Sequence, residues 1–158
     1  MSGDSGTAAA GGVLSEVDLA VAPDRVFDVL LDPVTYPDWL RGAKRIRAVD
    51  DSWPLPGAAF HHVVGAGPLT LADKTAVVST ERPHHLELRA GARPLGVAAV
   101  VFTLTPVGTG THLTITEQPH AGPMRFLWDH GGRPLLVPAL RARNDDSLRL
   151  LKELVEQG

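Results

Sequence analysis

The chain contains no cysteine, so neither a disulfide framework nor a thiolate metal site is open to it. That lack fits a reducing compartment, and a cytoplasmic location is expected. Neither sign of charge dominates: 15 Lys and Arg against 18 Asp and Glu leave −3 with the seven histidines neutral. Without a basic surplus, nothing argues for a nucleic-acid partner or an anionic membrane. No apolar run approaches the roughly 18 residues that a membrane span needs. The opening MSGDSGTAAAGG has neither a basic start nor a hydrophobic stretch, so it does not read as a secretory signal. Its small residues suggest a disordered tail over residues 1–12, ahead of a single domain over 13–158. Large rings are also scarce, with one Tyr, three Trp and four Phe, which makes their positions informative.

What is present alternates between strand and helix patterns. Val13, Val17, Leu19 and Val21 alternate with Glu16 and Asp18, as in a half-buried strand. In the next segment, Pro23 and Asp24 suit a helix start, and Val26, Phe27, Leu30 and Leu31 form one stripe. Pro33 stops that helix and forces Asp32 out of the helical region. VTYPDWLRG suits one further short helix, stopped by Gly42. KRIRAVD reads as a strand. Five more strands follow, over 58–65, 69–81, 84–92, 96–106 and 111–118. Their breaks, GAGP, ERPH, GARPLG and PVGTG, are short and rich in Gly and Pro, as antiparallel hairpins require. The last segment is helical, with Val137, Leu140, Asn144, Ser147, Leu151 and Leu154 on one face, and Pro138 either begins the helix or kinks it.

The order of elements, the VFDVLLDPVTYPDWL stretch and the C-terminal LRARNDDSLRLLKELVE together resemble the polyketide cyclase/dehydrase-like (SRPBCC) branch of the START/Bet v 1 superfamily. The aromatic–Pro–x–Trp segment of that group is matched by Tyr36, Pro37, Asp38 and Trp39, and the resemblance runs from Val13 to Glu156. It implies an α+β helix-grip fold: a curved antiparallel sheet of six or seven strands around a long C-terminal helix, with two short helices after the first strand. It also implies a hydrophobic cavity between sheet and helix. Fold alone does not select among the carriers, receptors and cyclases built on it.

Candidate site residues follow from which way each side chain faces. Leu113, Ile115 and Glu117 share one side of a strand, so Glu117 faces the cavity if the apolar pair does, and otherwise lies wet at the strand's open end. A desolvated carboxylate there would serve as acid, base or anchor. His61–His62 and His84–His85 cannot chelate one ion, because adjacent strand residues point to opposite faces. His62 and His84 are the inward members, as general bases or as rings satisfied by one hydrogen bond. Glu117, His62 and His84 are thus the catalytic candidates. The expected ligand wall comprises Tyr36, Trp39, Phe60, Phe102, Ile115, Trp128, Leu140 and Asn144, with simple core packing the alternative for Trp39. Neither metal nor cofactor is expected. The expected partner is a hydrophobic small molecule (polyketide, lipid or isoprenoid-like), bound by a monomer or homodimer. A carrier or binding protein and a polyketide cyclase/aromatase-like enzyme are the two functional readings.

Overall fold

The computed structural model describes residues 12–157, so the expected tail over 1–12, apart from Gly12, lies outside the described residues. Seven strands form one antiparallel sheet: β1 Val13–Leu19, β2 Ala43–Val49, β3 Ala59–Ala66, β4 Leu69–Glu81, β5 His85–Gly91, β6 Val97–Val107 and β7 Gly110–Ala121. The spatial order is β1-β7-β6-β5-β4-β3-β2. From β2 to β7 the chain therefore meanders, each strand beside its predecessor. The first strand is the exception, since it pairs with the last, Val13 opposite Glu117 and Leu19 opposite Thr111.

That topology explains the two short helices. The chain must pass from β1 at one edge to β2 at the other, and α1 (Pro23–Leu30) and α2 (Tyr36–Trp39) carry it across. Pro23 starts α1, and Val26, Phe27 and Leu30 form its buried stripe. Asp32, extended ahead of Pro33, accepts a hydrogen bond from the Val34 amide at 3.1 Å and reopens the chain as a short 3₁₀ turn. Gly42, at φ +96°, ends the passage in a conformation that only glycine adopts cheaply.

A short helix α3 (Pro123–Leu127) and a wide turn lead into α4, Arg133–Gln157. At 25 residues α4 is roughly 38 Å long, enough to cross the sheet. It begins five residues before Pro138, which lies inside the helix, where it supplies no N–H and its ring crowds the carbonyl one turn back. Its buried face is Leu136, Leu140, Asn144, Ser147, Leu148, Leu151 and Val155. Lys152 Nζ reaches the Asp18 carbonyl at 3.0 Å and Glu156 accepts from the Ala20 amide at 2.8 Å, tying the helix end to β1.

Large and small side chains are segregated along the face that α4 covers. Across β5 and β6 the inward pairs are Leu86 with Phe102, Leu88 with Val100, and Ala90 with Ala98. The bulky end continues through a chain of ring contacts: edge to face for Phe102 and Trp39 at 6.2 Å, Tyr36 and Phe60 at 5.0 Å, and Phe60 and Trp53 at 5.2 Å, and tilted for Trp39 and Tyr36 at 4.9 Å. Each of these rings except Trp53 is buried. They pack into the angle between the short helices and the sheet. At the alanine end nothing comparable fills the gap.

Candidate functional site

A cavity of about 390 Å³ opens at the alanine end, within the size range of small-molecule sites. A row of inward side chains crosses five strands to form its floor: His62 on β3, Thr75 on β4, Ala90 on β5, Ala98 on β6 and Glu117 on β7. Leu40, Ala43 and Val64 form one apolar wall, and Leu95 stands at the turn between β5 and β6. Arg143 of α4 closes the top, while Arg41 and Arg93 stand at the sides. A smaller chamber of about 50 Å³ continues beneath the β5–β6 turn, lined by Met124, Leu140 and Pro119. Ala98, Glu117 and Arg143 line both spaces.

Two backbone approaches shape the mouth. A Cβ on Gly91 would stand 2.0 Å from Asp73 Oδ1, so glycine leaves room for that carboxylate to reach across. Asp73 accepts from the amides of Lys74 at 2.8 Å and Arg93 at 2.9 Å, which pins the β5–β6 turn. At the turn's other side Gly96, φ +125°, lies so close to β7 that a Cβ would come within 2.0 Å of the Ala121 carbonyl oxygen.

His62 marks where the packed rings end and the cavity begins. Its ring lies 5.4 Å from that of Phe60, its Nε2 is 2.9 Å from Thr75 Oγ1, and its Nδ1 is buried without a partner. Burial pushes its pKa below the ordinary 6.5, against the opposing pull of Asp73, so the neutral ring is favoured. Glu117 is 3% exposed, with Oε1 unpartnered and Oε2 3.8 Å from an Arg143 guanidinium nitrogen. The strand runs on to Ala121, three residues beyond the sequence expectation, which is why Glu117 is enclosed rather than wet. His62 and Glu117 stand four strand spacings apart, about 19 Å along the curved sheet, at opposite ends of the floor. They cannot touch each other but can both touch a molecule that spans the floor.

The remaining expected residues divide plainly. His84 is exposed in the turn before β5, where only its backbone is used, its carbonyl accepting from the Leu104 amide at 2.9 Å. The inward position expected for it is thus corrected: the strand begins one residue later, so the pleat that buries Leu86 and Leu88 does not extend back to it. Tyr36, Trp39, Phe60, Phe102 and Ile115 are buried in the packed core and do not border the cavity. Tyr36 donates its hydroxyl to the Leu30 carbonyl at 2.5 Å, and burial, with Asp32 nearby, drives its pKa above the ordinary range. Trp128 packs with Val13, Leu136 and Leu140 in a separate cluster, under the Arg133 guanidinium at 4.8 Å. Of the expected ligand wall only Leu140 lines a chamber, the smaller one. Asn144 is fully buried with neither amide atom paired, while Ser147 accepts from the Arg41 amide at 3.1 Å.

The lining residues that sequence reasoning missed are small or loop-borne: Ala43, Thr75, Ala90, Ala98, Arg93 and Leu95. A signal did exist, since each of two neighbouring strands ends its inward row in an alanine, Ala90 on β5 and Ala98 on β6. Among the described residues no group of three or more His, Asp or Glu could hold a metal ion, and no helix is long and apolar enough to cross a membrane.

The same architecture occurs in solved structures. A Rhodobacter sphaeroides protein superposes with a TM-score of 0.68 at 23% identity, covering 91% of each chain. A Thermus thermophilus protein gives 0.66 at 15% identity, over 92% of this chain and 97% of its own. The di-domain ARO/CYC StfQ from the steffimycin biosynthetic pathway gives 0.69 at 16% identity, over 92% of this chain and half of that one. No curated protein matches the chain. At such identities the structures speak for the fold alone, but residues 12–156 also match a family described as polyketide cyclase / dehydrase and lipid transport. With nearly its whole length inside that match, the chain belongs to the polyketide cyclase / dehydrase and lipid transport family.

Proposed function

We propose that the protein binds a hydrophobic small molecule, of polyketide, lipid or isoprenoid type, in the space between sheet and α4, as a carrier or binding protein. The observation that carries this reading is the 390 Å³ hollow, floored by alanines and bounded by polar atoms that no protein group satisfies. Buried polar atoms are nearly always paired, so His62 Nδ1 and Glu117 Oε1 suit the hydroxyl or keto groups of a bound guest. The family, whose description joins cyclase and lipid transport, supports the same reading. The test is binding of Nile red, a neutral solvatochromic dye. A saturable blue shift, lost when Ala98 is enlarged to Trp, is expected. A dye signal that does not saturate, or that survives Ala98→Trp, would overturn the reading.

A second reading has its own observation. A neutral imidazole and a buried carboxyl group line one cavity, so two proton-exchanging groups can reach different atoms of one substrate. A cyclase or dehydratase acting on a folded polyketone would use them so, and the likeness to an ARO/CYC protein is in keeping with this. His62→Ala and Glu117→Gln separate the two readings. Retained binding with loss of turnover on a polyketone substrate favours the enzyme; unchanged turnover removes both residues from any catalytic role.

A further inference from the structure

Three arginines and one carboxylate line the cavity, and the arginines come from three different elements: Arg41 after α2, Arg93 in the β5–β6 turn, and Arg143 on α4. All three are also open to solvent, so they sit at the rim rather than in the depth. Their charges are unequally used. Arg41 is held by Asp146, which Arg149 also engages at 2.6 Å. Arg143 only approaches Glu117, at 3.8 Å, and its Nε is buried without a partner. The Arg93 guanidinium has no ion-pair partner among the described residues, because Asp73 takes its backbone amide instead. The basic rim also continues outward. Lys44, Arg45 and Arg47 follow Arg41 on the exposed edge strand β2, and none of them has an ion-pair partner among the described residues. In a chain of net charge −3 this is a local concentration of the minority sign.

The interior offers the opposite chemistry. Leu40, Ala43, Val64, Ala90 and Ala98 are apolar, and neutral His62 adds no charge. The single carboxylate, Glu117, lies under Arg143 and is screened from the mouth by it. A neutral guest would leave the Arg93 guanidinium without a counter-charge and Arg143 with only the 3.8 Å approach of Glu117. A cation would have to pass them.

We infer that the ligand is an amphipathic acid, its apolar body on the alanine floor and its carboxylate held at the rim by Arg93 and Arg143. This rests on the proposed binding of a hydrophobic guest and adds the chemical class of its polar end. Two guanidiniums present planar donors to one carboxylate, and charge-assisted bonds are about twice as strong as neutral ones. The unpaired Lys44, Arg45 and Arg47 would raise the local concentration of the anion and speed its capture.

The test compares three probes that share one apolar chain: decanoate, decan-1-ol and decylamine. Each is titrated against the Nile red complex by displacement, at about pH 8 where the acid is ionised and the amine is protonated. Decanoate is expected to bind at least roughly tenfold more tightly than decan-1-ol, with decylamine weakest. The advantage should shrink as salt rises. Arg93→Gln with Arg143→Gln should abolish the preference for decanoate over decan-1-ol. Equal affinity for acid and alcohol overturns the inference while leaving the hydrophobic-guest reading intact. Tightest binding of decylamine overturns it in favour of Glu117 as the anchor. Failure of dye and all three probes to bind removes the hydrophobic-guest reading, and this inference with it. Because the wild-type comparison decides the sign by itself, a poorly folding double variant does not protect the inference.

Discussion

Ala98→Leu and Phe102→Ala set the two ends of one strand against each other. Both residues face inward from β6, and only one of them is packed. Phe102 is buried among Trp39 and the core leucines, so its truncation removes a ring and leaves a void that rigid neighbours cannot close. The expected cost is about 3–5 kcal/mol of stability. Ala98 borders both chambers, so the three carbons that leucine adds enter open space. Its stability should stay within about 1 kcal/mol of wild type. The added carbons displace a comparable part of the guest, and at about 0.8 kcal/mol per methylene the lost burial is about 2.4 kcal/mol, a roughly 50-fold weaker Kd. Urea unfolding measures the first quantity and Nile red titration the second. The reasoning fails if Ala98→Leu destabilises the protein as much as Phe102→Ala does, or if it leaves dye affinity untouched.

Other perturbations address single contacts. Tyr36→Phe removes the hydroxyl that serves the Leu30 carbonyl and should cost about 1–2 kcal/mol in urea unfolding, with dye binding unchanged; a change in binding instead would put Tyr36 at the cavity. His62 is held below its ordinary 6.5, so the unfolded chain takes up the proton first; its contribution is complete above that value and is lost as pH falls below it. Unfolding free energies of wild type minus His62→Gln, measured from about pH 8 to pH 5, should therefore fall on acidification; a flat difference would refute the assigned shift. His112 is shifted the other way by Asp18 and Glu16, so its small, solvent-screened contribution is present at low pH and lost as pH rises past its raised pKa; His112→Gln isolates it in the same unfolding series. Gly91→Ala should expel the Asp73 carboxylate and free the β5–β6 turn, seen as faster amide exchange at Arg93; unchanged exchange would mean the turn is held otherwise.

The sequence disclosed the fold more fully than the site, for a physical reason. Strand alternation, the Pro23 start, the Pro33 break and Gly42 are local signals, and local signals place elements well. The inward parity of Glu117 and His62 was likewise readable, because a strand has period two. What parity cannot report is whether an inward side chain touches other side chains or open space. Tyr36, Trp39, Phe60 and Phe102 all face inward, yet they meet one another and fill the angle they bound. The hollow arises where Ala90 meets Ala98 across a register that no single strand reveals. His84 shows the complementary failure. Parity was right, but the strand started one residue later, and a turn residue owes nothing to the pleat. Arg93 comes to the rim through the Asp73 and Gly91 arrangement, a long-range contact with no periodic trace.

The separation of bulky from small side chains along the sheet has a consequence for descent. Folding free energy is drawn mostly from the aromatic end, whereas what a guest meets is decided at the alanine end. On the proposed binding role, relatives diverging by point mutation would exchange one guest for another through a few methyl groups, each exchange thermodynamically mild, while the ring-filled end stays nearly fixed. A lineage built this way inherits a stable vessel and rewrites its contents.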